Sequence, residues 1–117
     1  MQPTSWETMK TEKFGELTVR QMLSGESGTL GRWLFSKGAV VPRHSHVSEQ
    51  FTVVLSGSMK FVFDDREVVV KAGEVLLIPS NVPHSAIALE DCIDVDFFAP
   101  RREDWVRGDD SYVRGTK

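Results

Sequence analysis

The sequence predicts an all-β domain, folded as an antiparallel barrel or a two-sheet sandwich. Three observations lead there. Short runs rich in Val, Ile and Phe recur along the chain, separated by Gly, Pro, Asn and Asp turns. No segment carries a sustained apolar stripe at helical spacing. A length of 117 residues suits one domain with its own hydrophobic core.

Taken in order, strands are expected over 17–23 and 30–36, then over 50–56 and 59–64. The last two flank Ser56-Gly57-Ser58, which reads as a hairpin turn. Asp64-Asp65 makes a second turn before a strand over 66–71. Strands over 75–79, 85–89 and 93–99 complete the set. Residues 102–107 read as one short C-terminal helix, with Glu103 and Asp104 at the end where acidic side chains oppose the helix dipole. The chain thus divides into an N-terminal segment (1–15), a barrel (16–100) and a C-terminal helix or tail (101–117). Trp105 and Tyr112 are expected to anchor the tail to the barrel or to a partner subunit, and residues 115–117 to fray.

Composition narrows the function. A net charge of −3 and the lack of any basic run argue against a nucleic-acid surface. No apolar stretch is long enough to span a bilayer, so no membrane partner is expected. The polar first thirteen residues lack a signal-peptide core, which leads us to expect a cytoplasmic protein. Cys92 is the single cysteine and adjoins Ile93, so a buried, inert thiol is expected rather than a disulfide. Trp6, Trp33 and Trp105 are expected in the core or at a subunit interface.

The histidines are three: His44, His46 and His84. The first two alternate on an expected strand in Pro42-Arg43-His44-Ser45-His46, and alternate strand residues share a face. His84 follows the Pro-bounded turn Pro79-Ser80-Asn81-Val82-Pro83. Neutral imidazole is the commonest transition-metal ligand, so the placement suggests a metal site. By the same parity Arg43 faces away from it.

The stretch from Gly38 through Pro42-Arg43-His44-Ser45-His46-Val47-Ser48-Glu49-Gln50 to Gly57 resembles the first cupin motif. Gly73-Glu74-Val75-Leu76-Leu77-Ile78-Pro79, ending at His84, resembles the second. Only residues 58–72 separate them, the short spacing of small single-domain bacterial cupins. The resemblance implies a cupin double-stranded β-helix, a jelly-roll-like antiparallel barrel, with one divalent metal in its mouth. The first motif's usual glutamate is Gln50 here, while Glu49 stands one residue early. Unbroken parity from His44 favours Gln50 as fourth ligand beside His44, His46 and His84; a bulge would bring in Glu49 instead. Ala88 stands where the second motif often has asparagine. Three imidazoles and an amide are neutral, so the ion would keep its full charge and attract an anion. Such a set does not choose among Zn, Ni, Fe, Mn, Co and Cu.

Ile93-Asp94-Val95-Asp96-Phe97 alternates, placing Asp94 and Asp96 on one strand face. They face either water or the lumen. The ending Asp96-Phe97-Phe98-Ala99-Pro100-Arg101-Arg102-Glu103-Asp104-Trp105 is similar to that of the small cupins of pectin and alginate breakdown, which linearise unsaturated uronates. That resemblance implies active-site roles for Asp96, as proton shuttle, and Arg102, as holder of a carboxylate. Arg102 also has a plain alternative as ion-pair partner of Glu103 or Asp104. The functions that follow are a sugar-acid isomerase or lyase-like enzyme, a metal-dependent dioxygenase, or a non-catalytic small-molecule-binding module. Cupins of this size are commonly homodimers, and Trp6 in a polar leader fits one.

Overall fold

The computed structural model describes residues 1–114. The expected fraying of 115–117 lies outside the described residues. Ten strands and two short helices follow one another: β1 (Glu12–Phe14), β2 (Thr18–Ser24), β3 (Thr29–Phe35), β4 (Val40–His44), β5 (Glu49–Ser56), β6 (Ser58–Val62), β7 (Glu67–Lys71), β8 (Val75–Ile78), β9 (His84–Ala88), β10 (Cys92–Ala99), α1 (Glu103–Arg107) and α2 (Ser111–Arg114). All eight expected strands and the expected helix are present. β4 lies where a strand is expected at His44 and His46 but ends at His44, and β1 and α2 are additional.

The strands form two antiparallel sheets. One has six strands in the order β1-β2-β3-β10-β5-β8, and the other has four in the order β4-β9-β6-β7. Non-consecutive neighbours such as β3 and β10 close the jelly-roll-like barrel. Alternation decides what each strand buries. Trp33 and Phe35 of β3, Val54 of β5 and Phe98 of β10 face inward from the large sheet, and Met59, Phe61 and Ala86 face them from the small one.

The turn between β5 and β6 requires glycine. Gly57 has φ 76, and a Cβ there would lie 2.1 Å from the Asp91 carbonyl oxygen.

The C-terminal segment folds back over the barrel. Trp105 of α1 packs edge-on against Trp33 and Phe98, with ring centroids 5.5 and 4.9 Å apart. Gly31 leaves the room for it, since a Cβ there would meet the indole at 2.9 Å. Arg20 of β2 is wholly buried beneath Trp105, its guanidinium 4.1 Å from the ring centroid. It pairs with Glu12 at 3.0 Å and with buried Asp110 at 2.8 Å. One side chain therefore ties β1, β2 and the start of α2 together, and α2 rests on β4. Among the described residues no helix is long and apolar enough to cross a membrane.

Candidate metal centre and lumen

His44 and His84 are direct cross-strand partners of β4 and β9. His46 does not lie on a strand: β4 ends at His44, and 45–48 form a bend before β5. The parity assumed from His44 to Gln50 is therefore broken. Its break has a local cause. The β4–β9 register shifts between Val41 and His44, around Pro42, which has no N–H to give a ladder. That shift brings even-numbered His44 inward after odd-numbered Ala39 and Val41. His46 is held by the Pro-bounded loop, where the Asn81 N–H donates to its carbonyl at 2.8 Å.

The three rings converge. Their nearest nitrogens lie within 4.8 Å of one another and could hold a metal ion. Each Nδ1 lies 2.8 Å from a backbone carbonyl, that of Pro42 for His44, Ser48 for His46 and Val82 for His84. A carbonyl only accepts, so each Nδ1 carries the proton and each Nε2 presents a lone pair. Burial keeps the rings neutral. It pushes His44 down to about 3, with the neighbouring His84 adding to the effect, and His46 down to about 4, with Arg102 adding to it. His84 is lowered for the same first reason. His84 Nε2 is buried with no hydrogen-bond partner.

Gln50 joins this set and Glu49 does not. Gln50 is 5% exposed, whereas Glu49 points to solvent. Gln50 Oε1 lies 3.1 Å from His46 Nε2, and its Nε2 donates to Thr52 Oγ1 at 2.9 Å. Thr52 in turn bonds Asp96, to whose carboxylate its hydroxyl gives the proton. Thr52 is thereby left accepting from the Gln50 amide, which fixes Oε1 toward the histidines. Two lone-pair atoms, His46 Nε2 and Gln50 Oε1, thus face each other at hydrogen-bond distance without a proton between them. Four neutral donors converging on a point, one of them a buried orphan, fit a cation.

Asp94 and Asp96 both face the lumen, at 2% and 3% exposure, so the reading that puts them in water does not hold. Arg102, also 2% exposed, lines the same cavity of about 30 Å³ as His44, Gln50, His84 and both aspartates. Its Nε and Nη2 form a two-pronged pair with Asp104 at 2.9 and 2.7 Å, and Nη2 also donates to Tyr112 Oη at 2.8 Å. The ion pair expected as an alternative therefore exists, with its Arg102 end buried and its Asp104 end partly exposed, and among the described residues Nη1 makes no hydrogen bond. Outside the cavity, a cleft of about 510 Å³ is lined by Ser45, His46, Ser48, Pro100, Arg101 and Arg102 along with Glu26, Glu103 and Asp104.

Residues 31–98, more than half of the chain, running from within β3 to within β10, match the cupin domain family. The chain belongs to the cupin family. A solved RmlC-like cupin from Shewanella frigidimarina is 30% identical, with a TM-score of 0.80 over 87% of this chain and 93% of that one. KdgF from a Halomonas species has a TM-score of 0.78 at 23% identity, over 86% and 96%. The polyketide cyclase RemF from Streptomyces resistomycificus has a TM-score of 0.74 at 25% identity, over 88% and 82%. Among curated proteins none matches.

Two residues of this cupin's site were not singled out for it in the sequence. Thr52 is one, although inward parity from Gln50 points to it. Tyr112 is the other: its ring stacks on His44 at 4.2 Å with planes 15° apart, and its hydroxyl also accepts from Trp105 Nε1 at 2.9 Å. Its place follows from the Arg20–Asp110 pair, for which spacing gives no signal. Arg43 does point outward and pairs with Asp64 at 3.0 Å. Cys92 is buried, and burial together with the charges of Asp94 and Asp96 pushes its thiol up to about 12, which makes it inert as a nucleophile.

Proposed function

We propose that this cupin binds one divalent transition metal through His44, His46, His84 and Gln50 and converts unsaturated uronates or related sugar acids, by ring opening and ketonisation. The observation that carries this reading is the meeting of Asp96 and Arg102 with His44, His84 and Gln50 around one lumen. The similarity of 96–105 to the ends of uronate-linearising cupins supports it. When bound, the metal would supply Lewis-acid polarisation of a substrate oxygen.

The residues divide the remaining work. Arg102 offers its cationic charge and its unengaged Nη1 to the substrate carboxylate, while Asp104 and Tyr112 fix the plane of the guanidinium. Arg101 lies in the outer cleft but is paired with Glu103 there, and the cleft's volume is in the range of small-molecule sites. Asp96 takes a proton from a ring hydroxyl and returns it to carbon. The aromatic lumen, with Trp33, Phe98 and Trp105, excludes water from that transfer.

The test is turnover of unsaturated monouronates by metal-loaded protein, followed by loss of the ring double bond. Turnover is expected, and Asp96→Asn should abolish it while metal stays bound. No turnover on any uronate, with oxygen uptake on a phenolic or diketone substrate, would replace this reading by a dioxygenase. Retention of a small anion without turnover of either kind would indicate a binding module.

Two copies are proposed to pair through the outer face of the six-stranded sheet. Phe51, Leu77 and Phe97 are exposed cross-strand neighbours there, flanked by exposed Leu55 and Val75. Light scattering should give a dimer, and Leu77→Lys a monomer; a monomeric wild type would contradict it.

A further inference from the structure

Asp94 has no part in the chemistry assigned to Asp96, yet the two side chains stand next to each other on the inward face of β10. Both line the cavity, and each has one oxygen, Oδ1, that is buried without a hydrogen-bond partner. Among the described residues neither forms an ion pair. Two adjacent carboxylates in such a place cannot both be ionised without a large cost.

The surroundings decide which one carries the charge. Asp96 hydrogen-bonds the Thr52 hydroxyl and the Trp33 indole, and the indole can only donate. Among the described residues the side chain that bonds Asp94 is that of Asp96. Every ionisable neighbour agrees with that division. The flanking strands face the pair with Gly31, Trp33, Thr52 and Val54, none of them titratable. Arg102, the cation of the cavity, acts on Asp96, while Tyr112 comes from the same C-terminal segment. The opposite sheet contributes neutral His44 and His84. Cys92, on the same strand, holds its proton. Arg20 lies beyond Trp33 and is engaged by Glu12 and Asp110.

We propose that Asp94 stays protonated at neutral pH and donates to an ionised Asp96, so that the pair holds one proton and Asp94 is the positioning residue of the Asp96 base. The catalytic consequence rests on the role proposed for Asp96 above; the protonation of the pair does not. A proton leaving a substrate hydroxyl would bind the unpartnered oxygen of Asp96, raising the pair to two protons, and its return to carbon would restore one. With Asp94 neutral, Asp96 keeps accepting from Thr52, and Thr52 keeps Gln50 Oε1 turned toward the histidines.

Infrared spectroscopy of protein carrying ¹³C-carboxyl aspartate, with Zn²⁺ added, tests the protonation directly at pH 7. One protonated aspartic acid band is expected. It should vanish in Asp94→Asn and persist in the surface control Asp64→Asn. A wild-type spectrum without such a band, or a band that survives Asp94→Asn, would overturn the proposal. The positioning role is read from the pH profile of uronate turnover. Asp94→Ala removes the donor, so the acid limb should move up by about one pH unit or more, and Asp94→Asn, which keeps a donor, should leave it in place. An unmoved limb in Asp94→Ala would remove the positioning role. If the wild type turns over no uronate, the functional reading fails while the infrared result still decides the pair.

Discussion

Gln50 Oε1 and His46 Nε2 stand 3.1 Å apart, and both present lone pairs. Asp96 and Thr52 fix the amide end, and the Ser48 carbonyl fixes the imidazole tautomer. The arrangement makes sense around a cation. It also leaves that cation uncompensated, since no ligand is anionic. Gln50→Glu should therefore keep the metal, and bind it more tightly, while weakening an anionic uronate at least about tenfold through the added negative charge. Calorimetry with Zn²⁺ and a monouronate checks both halves; unchanged uronate affinity would contradict the charge argument.

The Arg20–Asp110 pair is fully buried and holds α2, with Tyr112, over His44. Removing one partner of such a pair costs about 3–5 kcal/mol, because the other charge stays buried. For a domain of this size that is a fall in Tm of roughly 10–20 °C. Asp110→Asn, followed by calorimetric melting, should show it. A change of a degree or two would mean that the C-terminal segment contributes little to the fold.

Asp94 bears on stability with a definite sign. Burial, and then the charge of Asp96, raises its carboxyl well above the ordinary 3.8 in the folded state. The folded protein then binds this proton more tightly than the unfolded chain does. The stabilisation is complete below the ordinary carboxylate pKa and is lost as pH rises through the raised one. Asp94→Asn removes that loss, so it should be more stable than wild type at pH 7 and almost unchanged at pH 4. Melting temperatures of both proteins at the two pH values test this; a variant less stable than wild type at pH 7 would refute it.

Much of this was legible in the residues. Period-two alternation in Ile93-Asp94-Val95-Asp96-Phe97 placed both aspartates on one face, and only the burial of that face awaited the structure. Turn residues located the hairpins at Gly57 and Asp64-Asp65 to within two positions. Parity singled out Gln50 through a strand that turns out to be broken: the shift at Pro42 and the bend at 45–48 bring the side chain to the same place by another route. β1 escaped notice because Glu12-Lys13-Phe14 is short and polar, and its place on the sheet edge is secured by Arg20. Tyr112 escaped for the same reason in kind, since a buried ion pair between residues ninety positions apart leaves no periodicity.

The central claim is a cation held by neutral donors, and metal content tests it most directly. Protein saturated with Zn²⁺, desalted and measured by mass spectrometry, should carry one ion per chain. His84→Ala should carry none at the same concentration, because the orphaned Nε2 at the base of the site is gone. Metal-free wild-type protein, or His84→Ala protein that still holds one ion per chain, would contradict it.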